Sequence, residues 1–228
     1  MLKIIILLIM LPLMTFANEP MFCSYDFLKD SQVEINIEGL KREHVFQVGD
    51  LTLAGLAVGK SDIESTILMA EALSGVSQEE NYCTYYFNKG NDEAETRFNH
   101  TYVSNPRFRG TSIANQYEER LGYLFTSEQP KTFLDCAINH NYIALGCNSQ
   151  KHRGPSVFAM LLSFAGCHPE VSTDIANKLW KKNLVSKKTR RAIAEKGWMF
   201  GHYYPELRKK LANTMLASEA AVPMRRAQ

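Results

Sequence analysis

Proline and glycine are sparse, 8 and 13 in 228 residues, so a collagen-like or low-complexity chain is excluded. Strong charge of one sign is also missing: the formal net charge is +2. With 45% hydrophobic residues, enough apolar surface exists to offset chain entropy, which excludes a wholly disordered protein. Beyond the first residues, no apolar run approaches the roughly 20 residues needed to span a bilayer. No fixed period marks a named repeat family, and no GxSxG elbow frames a serine nucleophile.

The one long apolar run comes first. Residues Met1–Ala17 read MLKIIILLIMLPLMTFA, with a basic Lys3, a short apolar core and a small residue at the exit. That is the layout of a secretory signal peptide rather than of a membrane anchor. Cys23 follows bulky Met21-Phe22 and does not resemble a lipidation site. The expected product is a soluble mature chain, 18–228, in the periplasm or outside the cell. It reads as one helical domain, with 18–53 irregular, 54–220 helical and 221–228 a flexible tail.

Helix punctuation dominates after position 54. Ser61-Asp62-Ile63-Glu64 and Ser77-Gln78-Glu79-Glu80 are capping boxes. Further helices are expected before Gly90, from Asn91, along Ile113–Leu124, and from Pro130 to Leu145. Gly154-Pro155 opens a very apolar helix that should be central to the core and stop at Gly166. Pro169, Ser186 and Pro205 mark three more starts. The spacing implies about eight or nine helices with short connections. The fold class is therefore all-α, with antiparallel helix pairs forming a bundle or a short irregular solenoid. Val33–Glu38 alternates apolar and polar, and His44–Val48 is its candidate partner in a small N-terminal β-hairpin.

Export places the five cysteines in an oxidising compartment. An odd count leaves at least one of them free or paired with another chain. If Pro130–Leu145 and Pro155–Ala165 are antiparallel helices, position 167 faces about position 134, within disulfide reach of Cys136. Cys136–Cys167 is the expected bridge. Cys23–Cys83 follows by elimination, with Cys147 free.

Chemical motifs are weak. Gly55–Ser61 falls one residue short of a phosphate-binding loop, and Ser61 is already a helix cap, so no nucleotide is expected. Cys136, His140, Cys147 and His152 have the residue types of a zinc site, but their spacing matches no common module and a disulfide accounts for Cys136. Cys147 with a neighbouring histidine is more often inert than catalytic. No metal or cofactor is expected. Asn99-His100-Thr101 fits a glycosylation acceptor by chance. Glu64 is the one candidate general acid for a glycan-directed hydrolase, although its capping role explains it without catalysis.

Charge is unevenly placed. From Asn18 to Asn177 there are 12 Lys and Arg against 21 Asp and Glu; from Lys178 onward, 13 against 3. The basic tract includes Lys178, Lys181, Lys182, Lys187, Lys188, Arg190, Arg191, Lys196, Arg208, Lys209 and Lys210. It is suited to an anionic partner, or to the acidic part of the same chain. Within it, Trp198–Pro205 is aromatic-rich and should form the elbow between the last two helices. Trp198 and Phe200 are expected in the core, Tyr203 and Tyr204 on the surface. The expected binding surface is Lys187, Lys188, Arg190 and Arg191 with Tyr203 and Tyr204. An exported destination disfavours nucleic acid.

These features imply an exported, disulfide-stabilised helical protein that binds a macromolecular envelope partner, protein or anionic, without catalysis. An envelope hydrolase and a purely structural envelope protein are the competing classes. N-terminal sequencing of the exported product should begin at Asn18. A full-length cytosolic chain with all its cysteines reduced would refute the leader.

Overall fold

The computed structural model of the chain describes residues 19–33, 43–57, 84–87, 138–139, 141–147, 153–180 and 186–217. The leader, the C-terminal tail, Glu64, Cys83, Cys136 and the helices expected between 61 and 75 and between 91 and 130 lie outside them.

Most of the described residues are helical, and the helices pack on one another. A 3-10 turn, Met21–Cys23, leads into α1, Tyr25–Asp30. The apolar α2, Arg153–Ala165, follows much later in the chain. Gly154 to Ala165 are all buried, so this helix has no solvent face and runs through the core. It stops where the sequence implies. Gly166 takes a positive φ of 131°, and the amides of Gly166 and Cys167 donate back to Ser163 and Leu162 in the bonds of a Schellman motif. Helix α3, Pro169–Leu179, begins on Pro169 and α4, Lys187–Tyr203, on the N-cap Ser186. Helix α5, Pro205–Leu216, begins on Pro205 and buries Leu207, Leu211 and Met215 as one stripe.

The all-α expectation needs correction, because a five-stranded sheet accompanies the helices. Its strands are β1 (Gln32–Val33), β2 (Glu43–Val48), β3 (Leu51–Ala57), β4 (Thr84–Phe87) and β5 (Tyr142–Cys147), in the order β1-β2-β3-β5-β4. The first three are antiparallel; β5 runs parallel to both β3 and β4. The expected pairing of Val33 with the second strand survives as Val33 opposite Val45. The main partner of β2 is nevertheless β3, across a turn with Gly49 at its first central position and φ +63°. Strands β4 and β5 fall where helices were expected. Short runs such as Tyr142–Cys147 cannot be told from a helix segment by period alone.

The sheet and helices share one core. Val45, Phe46, Val48, Leu51, Leu53 and Ile143 meet the residues of α2 there. Phe46 packs at 5.3 Å, tilted, against Phe158, and both lie against Trp180 at the end of α3. At the other end of the hairpin, the amide of Asp50 donates to the carbonyl of Thr214 at 3.0 Å. That bond occupies an otherwise unpaired carbonyl near the C-terminus of α5. A side chain at Gly49 would lie 2.6 Å from the Met215 carbonyl.

The disulfide also differs from expectation. Cys23 and Cys167 are bonded to each other, with Cα atoms 5.3 Å apart, so neither Cys136–Cys167 nor Cys23–Cys83 can form beside it. The helix pair behind the first assignment fails because Tyr142–Cys147 is a strand. The 3-10 turn instead packs on α3, carrying Cys23 to the α2–α3 corner. The bridge closes a separation of 144 residues, which an entropic model values at about 5 kcal/mol.

Helix α4 lies on α2 without side chains between them at two points. A Cβ at Gly197 would run into the carbonyl of Met160, and one at Gly201 would sit 2.7 Å from that of Phe164. Met160 and Phe164 are one turn apart, as are the glycines, so the two helices run in the same direction. Gly197→Ala tests this contact. In an exposed helix the change stabilises by about 1 kcal/mol; here it should destabilise by about 1–3 kcal/mol in urea denaturation. A variant more stable than wild type would refute the close approach.

Candidate functional site

The described part of the basic tract lies on α4, α5 and the end of α3, with Lys181 and Lys182 outside the described residues, and its local structure decides which of these charges are available. On the flank facing α3, Lys187 Nζ lies 2.8 Å from Asp174 Oδ1, and Arg191 bridges Glu170 at 3.6 Å and Glu195 at 3.0 Å. As numbering rises on α4 it falls on α3, so these helices are antiparallel. The hydrogen bond to Asp174 is the main reason the Lys187 ammonium is held above its ordinary pKa. These pairs are exposed, so they direct charge more than they stabilise the fold.

Arg190 corrects the expected surface. It is fully buried, 0% exposed, and its Nη1 donates to Oδ1 of Asn177 on α3. One residue separates it from the solvent-facing stripe of Lys187, Lys188 and Arg191, and the helical turn of about 100° per residue points it inward. Its long aliphatic stem suits such a position when the head is hydrogen-bonded.

Two more cations rest on aromatic rings. Lys178 Nζ lies 5.3 Å from the ring centre of Tyr25, and the Arg208 guanidinium 4.9 Å from that of Trp198. Arg208 also packs over Gly166, where a Cβ would meet its Nη2 at 3.2 Å. It therefore brings positive charge to the C-terminal end of α2, where the helix dipole favours it. Trp198 is half-buried rather than in the core, flanked by His168 at 6.2 Å and His202 at 5.3 Å. Phe200 is also half-buried, packing against the core's edge.

Among the described residues, Lys188, Lys209 and Lys210 have no ion pair. All three are exposed. Tyr203 and Tyr204, placed on the surface by sequence, are 67% and 42% exposed, and Met199 joins them at 43%. Met199 and Tyr203 are four residues apart, on one face of α4. The α4–α5 elbow thus carries exposed aromatic and apolar side chains one to two turns from unpaired lysines. Lys209 and Lys210 were legible as part of the basic tract. Their availability was not, because it depends on which other cations find partners.

Among the described residues, no three His, Cys, Asp or Glu side chains gather to hold a metal ion, and no helix is long and apolar enough to cross a membrane. His140 and His152 lie outside the described residues. Comparison with protein-family models, with curated proteins and with solved structures finds no match.

Arg190→Ala should lower stability by about 2–5 kcal/mol, since it empties a buried site and removes the hydrogen bond to Asn177. Lys188→Ala, on the open face of the same turn, should leave the unfolding midpoint nearly unchanged. Thermal melts of the two variants check the contrast, and equal shifts would show Arg190 to be a surface residue after all.

Proposed function

We propose that the protein is exported and acts without catalysis, by binding a macromolecular partner in the cell envelope, as immunity, inhibitor or adaptor proteins do. The leader-like Met1–Ala17 segment supports the destination. The Cys23–Cys167 bridge is the kind of staple that persists in an oxidising compartment. The observation that carries the binding role is the division of the basic tract. Lys178, Lys187, Arg190, Arg191 and Arg208 are engaged within the molecule. Lys188, Lys209 and Lys210, with Tyr203 and Tyr204, face solvent. Exposed tyrosines beside unpaired cations supply area and charge attraction together, a combination enriched at binding hot spots.

The test is affinity capture from detergent-solubilised envelope extract. The bait is the exported protein, compared with a variant carrying Lys209→Glu, Lys210→Glu and Tyr203→Ser. A partner retained by wild type and lost by the variant, with circular dichroism unchanged, is the expected result. A partner retained equally by both would remove this face from the reading.

A further inference from the structure

The elbow is also a particular shape. Residues His202 to Glu206 are exposed without interruption across the junction of α4 and α5. This exposed run forms the corner between the two helices. Its tip carries Tyr203 and Tyr204, with Met199 one turn back along α4. Lys210 is six residues beyond Tyr204, about 9 Å of helix rise, within reach of the same plane for a long side chain. Glu206 is the only acidic residue between Tyr203 and Lys210.

Size separates two kinds of partner. A stable protein–protein interface takes about 800 Å² and 20–30 residues from each side. Among the described residues, the unpaired cations and exposed apolar groups at this corner are Met199, Tyr203, Tyr204, Lys209 and Lys210, a compact set beside such an interface. A bilayer surface asks for less. Tyrosine rings sit at the headgroup level with the apolar edge inward and the hydroxyl in water. Lysines beside them meet lipid phosphates, each contributing about fivefold in partition to an anionic membrane.

We propose that the α4–α5 corner is a peripheral docking site for an anionic phospholipid surface, with Met199, Tyr203 and Tyr204 entering the interface and Lys209 and Lys210 meeting the phosphates. This rests on the envelope destination and names the partner class of the binding face.

The experiment measures partition of the exported protein onto vesicles by co-sedimentation. One set is pure phosphatidylcholine; the other is an equal mixture of phosphatidylcholine and phosphatidylglycerol. Wild type and variants carry the same N-terminus, so any contribution from leader residues cancels. Wild type should prefer the mixed vesicles by about tenfold or more and lose that preference as salt is raised. Lys209→Gln with Lys210→Gln should weaken binding to mixed vesicles about thirtyfold. Tyr203→Ser with Tyr204→Ser should weaken binding to both vesicle types. Lys187→Gln, which removes a cation already paired with Asp174, should leave binding within about twofold of wild type. Equal partition onto the two vesicle types overturns the proposal, as does an unchanged double-lysine variant or a Lys187 effect as large as that of the pair. Vesicle binding without any captured protein supports this site while refuting a protein partner. Capture of a protein through this face without vesicle binding does the reverse.

Discussion

The close approach of α4 to α2 is the contact on which the rest of the described structure depends. Helix α2 has no polar face, so it is stable only when wrapped on all sides. On one side α4 comes near enough for backbone to touch backbone, because Gly197 and Gly201 carry no Cβ. On the others α3, α5 and the sheet complete the wrapping. The same approach fixes the height and rotation of α4, and through it which of its basic residues point inward. Arg190 falls on the inner side beside Asn177; Lys188, Met199 and Tyr203 fall on the outer side.

Three ties hold the chain's distant parts to this centre. The Cys23–Cys167 bridge fastens the N-terminal turn to the corner between α2 and α3, and the Glu19 carboxylate accepts from the His168 amide at 3.3 Å beside it. Ser163 donates to Ser172 at 2.8 Å in the buried seam between α2 and α3. The tip of the β2–β3 hairpin rests on the end of α5. The first and third join segments far apart in sequence, and the second pairs two buried hydroxyls, which favours one arrangement over its alternatives.

The surface chemistry is a remainder. Among the described residues of the basic tract, Lys178, Lys187, Arg190, Arg191 and Arg208 are taken up within the molecule by Tyr25, Asp174, Asn177, Glu170 and Trp198. Among the described residues, Lys209 and Lys210 remain open at the α4–α5 corner, with Lys188 apart from them at the start of α4, and the aromatic residues of the corner give it a chemistry that charge alone would not. A basic segment in a sequence is thus a poor measure of a basic surface; the acids and rings that face it decide how much charge remains for a partner.

Local signals by themselves determined where α2 to α5 begin, since proline, serine and glycine at helix ends act through nearby backbone groups. They also determined that Tyr203 and Tyr204 belong at an elbow. They did not determine β3, β4 or β5, because a short apolar run in a strand cannot be told from one in a helix by its period alone. The cysteine pairing was likewise beyond them: elimination over sequence positions knows nothing of a 144-residue return. Only the packed structure placed Arg190 inside and left Lys209 and Lys210 outside. The reason is physical: helix starts are set by interactions within one turn, whereas strand pairing, disulfide partners and the balance of charge are set by contacts between residues that meet only after the chain has folded.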